Sequence, residues 1–256
     1  MAEIVKISIF DLIGIALRSF FVQACWNFNK MQGLGFLFMI RGTLSKIYKD
    51  KELFTKSLLK YADFFNTNPY FAPAIAGAVM KYEEELAIQG TSSFNPEAIK
   101  ASLMGPFGAI GDSLFWSTLR PVISAVAIFA ALANISYAPI IFLGVYGIIS
   151  IVFRFYATFI GYKYGKDIIN KISRLNLYTL INRLKNIMAL ILGAVIPLLE
   201  INKNFMLVGH SFFVNILIAF GIVNLCFVLF LKRLTTTAVI FIVMFGCIMY
   251  AYIFPL

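Results

Sequence analysis

The chain has 256 residues, of which 61% are hydrophobic, against about 45–50% in soluble domains. Charged residues make up 13% and the mean hydropathy is +0.86. This composition excludes a disordered chain and an ordinary soluble enzyme, and it reads the net charge of +10 as basic loops beside membrane spans rather than as a nucleic-acid surface.

Cys25, Cys226 and Cys247 are far apart, there is no CxxC, and His210 is the single histidine, so neither a zinc site nor a disulfide framework is expected. The start, MAEIVKISIFDL, has acids at Glu3 and Asp11 and no small-residue cleavage site, which makes a poor secretory signal.

From Met1 to about Lys100 no uninterrupted apolar run reaches the ~20 residues a span needs. Two amphipathic helices are expected there instead. The first covers Phe10–Phe28, with Phe10, Ile13, Leu17, Phe20, Phe21, Ala24 and Phe28 on one face. It suits either the membrane interface or a packed protein core. The second runs from Leu44 to Phe65, with Ile47, Phe54, Leu58, Tyr61 and Phe65 on one face and Lys49, Lys56 and Lys60 on another. It stops at FFNTNPYFAP, where Asn66, Asn68 and Pro69 provide turn chemistry. Tyr70–Met80 is too short to span and is expected to be re-entrant or buried; the acidic run Glu83–Glu85 and the polar loop QGTSSFNPE follow.

The remainder reads as membrane. The apolar segments are 103–133, 137–162 (with Arg154), 187–201 (with Pro197 and Glu200), 212–231 and 238–256. Lysine and arginine alternate along the connections: eleven in the front third, none in 134–136, six in 163–186, one in 202–211 and two in 232–237. Five crossings, with the N-terminus cytoplasmic and the C-terminus external, satisfy the positive-inside rule at every loop. The expected fold is an all-α integral membrane protein. Residues 1–102 form amphipathic helices and a re-entrant segment on the cytoplasmic side, and 103–256 form the transmembrane region.

Two segments carry candidate chemistry. In SLMGPFGAIGDSLFWSTLRPVISAVA, Gly105, Pro106, Gly108, Gly111 and Pro121 predict a broken helix lining a solute pathway or its gate. Asp112 and Arg120 lie in it, and each is costly in hydrocarbon unless paired or solvated. Eight residues apart, they are about 80° out of register on a straight α-helix, which disfavours a direct pair. The alternative gives Asp112 a capping role at Ser113 and lets Arg120 snorkel. In WNFNKMQGLGFLFMI, Gly33 and Gly35 permit close backbone approach beside Gln32. The pair is not a dinucleotide fingerprint, because no strand precedes it and no third glycine follows. Trp26 and Phe28 beside Asn27 and Gln32 offer flat apolar faces and amides, the materials of a sugar site. Asn66 and Asn68 serve equally as sugar-binding amides or as an Asx turn before Pro69.

WNFNKMQGLGFLFMI, KYADFFNTNPYFAPAIAGAVMKYEEE, LMGPFGAIGDSLFWSTLRPV and GYKYGKDII occur in this order, and together they resemble the enzyme IID subunit of mannose-family sugar phosphotransferase systems. The likeness is dense over 19–127 and sparser to about 175. It implies a membrane subunit that pairs with a IIC subunit to form the sugar channel, in a trimer of IIC–IID pairs. Soluble IIA and IIB proteins bring the phosphate, and no cofactor or metal is implied. The substrate is a hexose or amino sugar, with Gln32, Asn66, Asn68 and Asp112 as candidate contacts. Gly33, Gly35, Gly111, Arg120 and Pro121 are candidates for gating or structure. The alternative is a scaffold that only stabilises IIC. The ten-residue loop 202–211 is shorter than the family usually carries, so outer-surface contacts with bacteriocins or phage do not carry over. STLRP also replaces the commoner GTxRP.

No residue is expected to carry the phosphoryl group. The nucleophile must face the cytoplasm, but the charge count puts His210 outside, Cys226 and Cys247 lie in spans, and Cys25 lacks a soluble domain around it. An intramembrane enzyme using Asp112 would lack a partner carboxylate or metal cluster.

Overall fold

A computed structural model describes residues 6–174, 176–201, 212–232 and 234–253. The chain divides into two units, residues 1–192 and 193–256. Every regular element among the described residues is helical.

In the first unit, α1 (Ile9–Arg18) opens on a reciprocal cap: Ser8 accepts from the Asp11 amide, and the Asp11 carboxylate accepts from the Ser8 amide at 2.9 Å. The helix ends at Arg18, followed by a 3-10 turn at Ser19–Phe21, rather than running on to Phe28. Where α1 ends, Ser19 Oγ donates back to the Ala16 carbonyl at 2.6 Å; further on, Asn27 Oδ1 accepts the Lys30 amide at 2.9 Å and holds 27–30 in a turn. The chain then closes a tight loop, with Met31 at a left-handed φ of 50° and bridges from Met31 to Asn27 and Phe65.

The expected 44–65 helix is two helices. α2 (Gly33–Ile47) ends before Asp50, whose side chain caps α3 (Lys51–Tyr61) by accepting from the Glu52 and Leu53 amides. The Tyr70–Met80 stretch is buried as the start of α4 (Ala72–Gln89), which carries the acidic run within it and stops at Gly90, φ 70°.

The Gly/Pro-rich segment is not broken. Asn95 caps α5 (Pro96–Gly111), which continues through a π-helical segment (Asp112–Leu119) into α6 (Arg120–Leu132). The Arg120 amide reaches back five residues to the Phe115 carbonyl, and Thr118 Oγ1 donates to the Ser113 carbonyl at 2.8 Å. Widened turns just before Pro121 relieve the clash and the missing amide that a proline brings to a helix. α7 (Ala138–Tyr164), a 3-10 turn (Gly165–Asp167), α8 (Ile168–Ser173) and α9 (Leu177–Ile201) follow. Two continuous helical stretches, Pro96–Leu132 and Ala138–Ile172, are long and apolar enough to cross a membrane. In the second unit, α10 (Phe212–Leu231) and α11 (Thr236–Ile253) pack on each other and expose apolar side chains such as Phe220, Phe227, Phe241 and Phe245.

The first unit is built around α4, which lies mainly along α7. The two backbones touch: a Cβ on Gly161 would collide with the Ala74 backbone, and one on Gly77 with the Thr158 backbone. The acidic run then clamps the helices around it. Glu83, 0% exposed, accepts from Tyr48 Oη at 2.6 Å, Lys60 Nζ at 2.9 Å and the Tyr61 hydroxyl. Glu84 accepts from the Ile7 amide at 2.6 Å and the Tyr162 hydroxyl. Burial, reinforced by Glu83, pushes the Tyr48 and Tyr61 hydroxyls far up, so both stay neutral donors.

Gly161→Leu should remove roughly 1–3 kcal/mol or more by overpacking this crossing, read as lost thermal stability in detergent. A second test concerns Asp11, whose carboxylate is 9% exposed and sits 2.6 Å from Lys46 Nζ. Burial acts to raise its pKa, but the Lys46 and Ser8 hydrogen bonds outweigh this and hold it below the usual carboxylate range. A depressed folded-state pKa gives stabilisation that is complete above the unfolded value of about 3.9 and is lost as pH falls through the folded one. Asp11→Asn should therefore cost about 1 kcal/mol at neutral pH, with the gap from wild type narrowing in denaturation curves as pH falls below the unfolded value of about 3.9.

Candidate functional site

The turn between α3 and α4 organises the polar residues. Gln32, 3% exposed at the head of α2, grips Thr67 at both backbone groups: its Nε2 donates to the carbonyl at 2.9 Å and its Oε1 accepts from the amide at 3.3 Å. Thr67 Oγ1 donates to the Met104 carbonyl on α5 at 3.0 Å. Asn68, 2% exposed, accepts from the Tyr70 amide at 3.0 Å and donates to Asp112 Oδ1 at 2.9 Å. The Asx turn expected before Pro69 and the contact with the span therefore share one side chain.

Gln32, Asn66 and Asp112 line a single cavity of about 390 Å³ together with Gln23 and Trp116. Asn66 and Asp112 are exposed to it, and Asn68 holds Asp112 from behind. Asp112 does not cap a helix. Its backbone is helical (φ −64°, ψ −42°) inside a continuous helix, so its carboxylate is left for Asn68 and the cavity. Gly111 is required here, since a Cβ would strike the Asn68 side chain. Gly33 and Gly35 lie against the Asp63 and Val22 carbonyls and set how α2 docks. Arg120 is exposed, with its guanidinium 5.4 Å from the Trp116 ring, and Pro121 lies in the first turn of α6. Trp26 and Phe28 meet edge to face, centroids 5.9 Å apart, away from the cavity lining.

Sequence reasoning missed Trp116 and Gln23. Trp116 was findable: Asp112, Trp116 and Arg120 are four residues apart, which a helix with widened turns keeps near one face, and all three are exposed. Gln23 carries no local signal.

Arg154, a charge inside the 137–162 apolar segment, is 7% exposed within the chain. Its Nη1 donates to the Pro69 carbonyl at 2.8 Å, the Ser19 carbonyl at 2.8 Å and Ser19 Oγ at 3.1 Å. The guanidinium lies 4.8 Å from the Phe20 ring and 4.9 Å from the Tyr70 ring. It thus ties α7 to the end of α1 and to the turn that bears the amides. The loop 202–211 with His210, and the side chains of Pro197, Glu200 and Cys247, lie outside the described residues. Cys25 is exposed and Cys226 half-buried.

A family model for the PTS system mannose/fructose/sorbose family IID component matches residues 6–255. The chain belongs to this family. IID components are membrane subunits of sugar phosphotransferase systems and are not catalytic alone. The mannose-specific EIID component of Escherichia coli (strain K12) is 32% identical over 166 residues, which are 64% of this chain and 59% of that protein. The fructose permease IID component of Bacillus subtilis (strain 168) is 27% identical over 164 residues, 64% of this chain and 60% of that protein. The chain thus matches about three fifths of the length of these curated relatives. Among solved structures, a chain from the mannose transporter ManYZ in complex with microcin E492 superposes with a TM-score of 0.59 at 25% identity, covering 98% of both chains. Another, described as a membrane protein, gives 0.71 at 25% identity over 97% of each. The IID resemblance read from the four motifs is borne out by the family match.

In this IID chain Arg154 should be essential to the turn. Arg154→Leu removes the side-chain donor from the buried Pro69 carbonyl, at roughly 1–3 kcal/mol, while the Ser19 carbonyl keeps the Val22 amide at 3.2 Å. We expect a lower unfolding temperature in detergent, partly restored by Arg154→Lys.

Proposed function

We propose that this chain is the IID half of a sugar passage, formed with a IIC subunit in a trimer of such pairs, through which a hexose or amino sugar moves while a separate IIB protein phosphorylates it. The reading rests most on one observation: Asn66, Gln32, Asp112 and the Trp116 ring converge on one cavity beside a helix able to span the membrane. Sugar hydroxyls both donate and accept, as amides do, and a carboxylate accepts strongly. An indole face suits the apolar side of a pyranose ring. The topology that goes with this reading has five crossings, a cytoplasmic N-terminus and an external C-terminus. Residues 1–102 lie on the cytoplasmic side and 103–256 in the membrane. IIA supplies the phosphate to IIB, and no residue of this chain is a phosphoryl carrier.

Uptake kinetics test the reading. Asp112→Asn and Asn66→Ala should each raise KM for sugar about fivefold to tenfold, the worth of roughly 1 kcal/mol per hydrogen bond. The complex with IIC should still elute intact. An unchanged KM in both variants leaves only a scaffolding role.

A further inference from the structure

A second cavity, of about 710 Å³, lies between the turn from α2 to α3, α3 itself and the C-terminal end of α4. Its wall is apolar at Ile47, Leu53, Leu86 and Ala87, and three lysines line it: Lys49, Lys56 and Lys60. Asp50 is the carboxylate in the lining, and its Oδ1 is engaged in capping α3, 3.0 Å from the Glu52 amide and 2.9 Å from the Leu53 amide. The neutral hydroxyls in the lining are also engaged: Tyr48 donates to Glu83 at 2.6 Å and Ser57 to the Phe54 carbonyl at 2.8 Å. Lys60 is held by Glu83 at 2.9 Å and Glu97 at 3.7 Å. Lys49 and Lys56 make no ion pair among the described residues.

The cavity therefore offers two unpaired cations over an apolar wall and has little left for a sugar's hydroxyls. Its depth is set by the Lys60–Glu97 pair, because Glu97 is in the first turn of α5, where the Pro96–Leu132 stretch begins. That is the level at which a span leaves the headgroup layer, where lysines attract anionic lipid and their stems lie along apolar surface. An acidic soluble protein would answer the lysines, but a cavity beside the start of a span-length helix favours an acyl chain on its apolar wall.

We propose that this cavity binds one anionic phospholipid, with its phosphate on Lys49 and Lys56 and an acyl chain along Ile47, Leu53 and Leu86. The proposal is independent of the sugar reading. It is tested on the full chain, copurified with its membrane partner and exchanged into nanodiscs of phosphatidylglycerol or phosphatidylcholine, with retained lipid read by native mass spectrometry. Wild type should keep phosphatidylglycerol in preference to phosphatidylcholine, and excess inorganic phosphate should not displace it. Lys49→Gln/Lys56→Gln should weaken retention about tenfold or more at unchanged thermal stability, and Leu86→Trp, which fills the wall and keeps both charges, should weaken it too. Lys163→Gln/Lys171→Gln, which removes the same charge elsewhere, should not. Equal retention by wild type and both cavity variants overturns the proposal. So does a lysine variant that loses only its grip on an acidic soluble protein, which would make the cavity a protein dock.

Discussion

The backbones of α4 and α7 touch at Gly77 and Gly161, and the rest of the first unit depends on that contact. Two helix backbones can approach this closely only where small residues meet, since any side chain at the crossing holds them apart, and the close approach adds dispersion contacts. Bringing the axes together there sets where α4 begins, and the 66–69 turn leads directly into that beginning. The same approach allows Arg154, on α7, to reach the Pro69 carbonyl. A shift of α4 along α7 would separate the guanidinium from the carbonyls that solvate it.

Both ends of α4 are then fixed by polar groups with several partners each, although the buried Arg154 Nε has none. At its N-terminal end Arg154 supplies donors to backbone carbonyls and lies between two rings. At its other end Glu83 and Glu84 collect tyrosine hydroxyls, an ammonium and a backbone amide from α2, α3, α7 and the start of the chain. A buried carboxylate is tolerable only with such company. With both ends held, the turn before α4 presents one exposed amide, Asn66, from a hydrogen-bonded support, the arrangement a binding site needs. The π-helical segment contributes from the other side: it follows directly from Gly111, where the missing side chain makes room for Asn68 against the helix, and Asp112 is presented at its first position.

The sequence by itself determined the helical class, two apolar helices long enough to span and the IID family, because these rest on composition, on hydropathy runs as long as a span and on ordered local motifs. Local chemistry decided more than periodicity did. Asp50 divided a helix that the apolar pattern would have continued, since its side chain offers the backbone another partner. Tertiary structure alone decided what the charges do. Glu83 and Glu84 look like a solvated acidic run and form a clamp, with Glu83 buried and Glu84 half-buried; Arg154 looks like a contact for another subunit, yet its Nη1 is bonded inside its own chain. Gln32, Asn66 and Asp112 meet although as many as 80 positions separate them, and Trp116, not the sequence-adjacent Trp26, supplies the ring. The physical reason is that hydropathy reads the solvent a residue prefers on average, whereas a buried polar group takes its role from the partners that distant elements bring within about 3 Å of it.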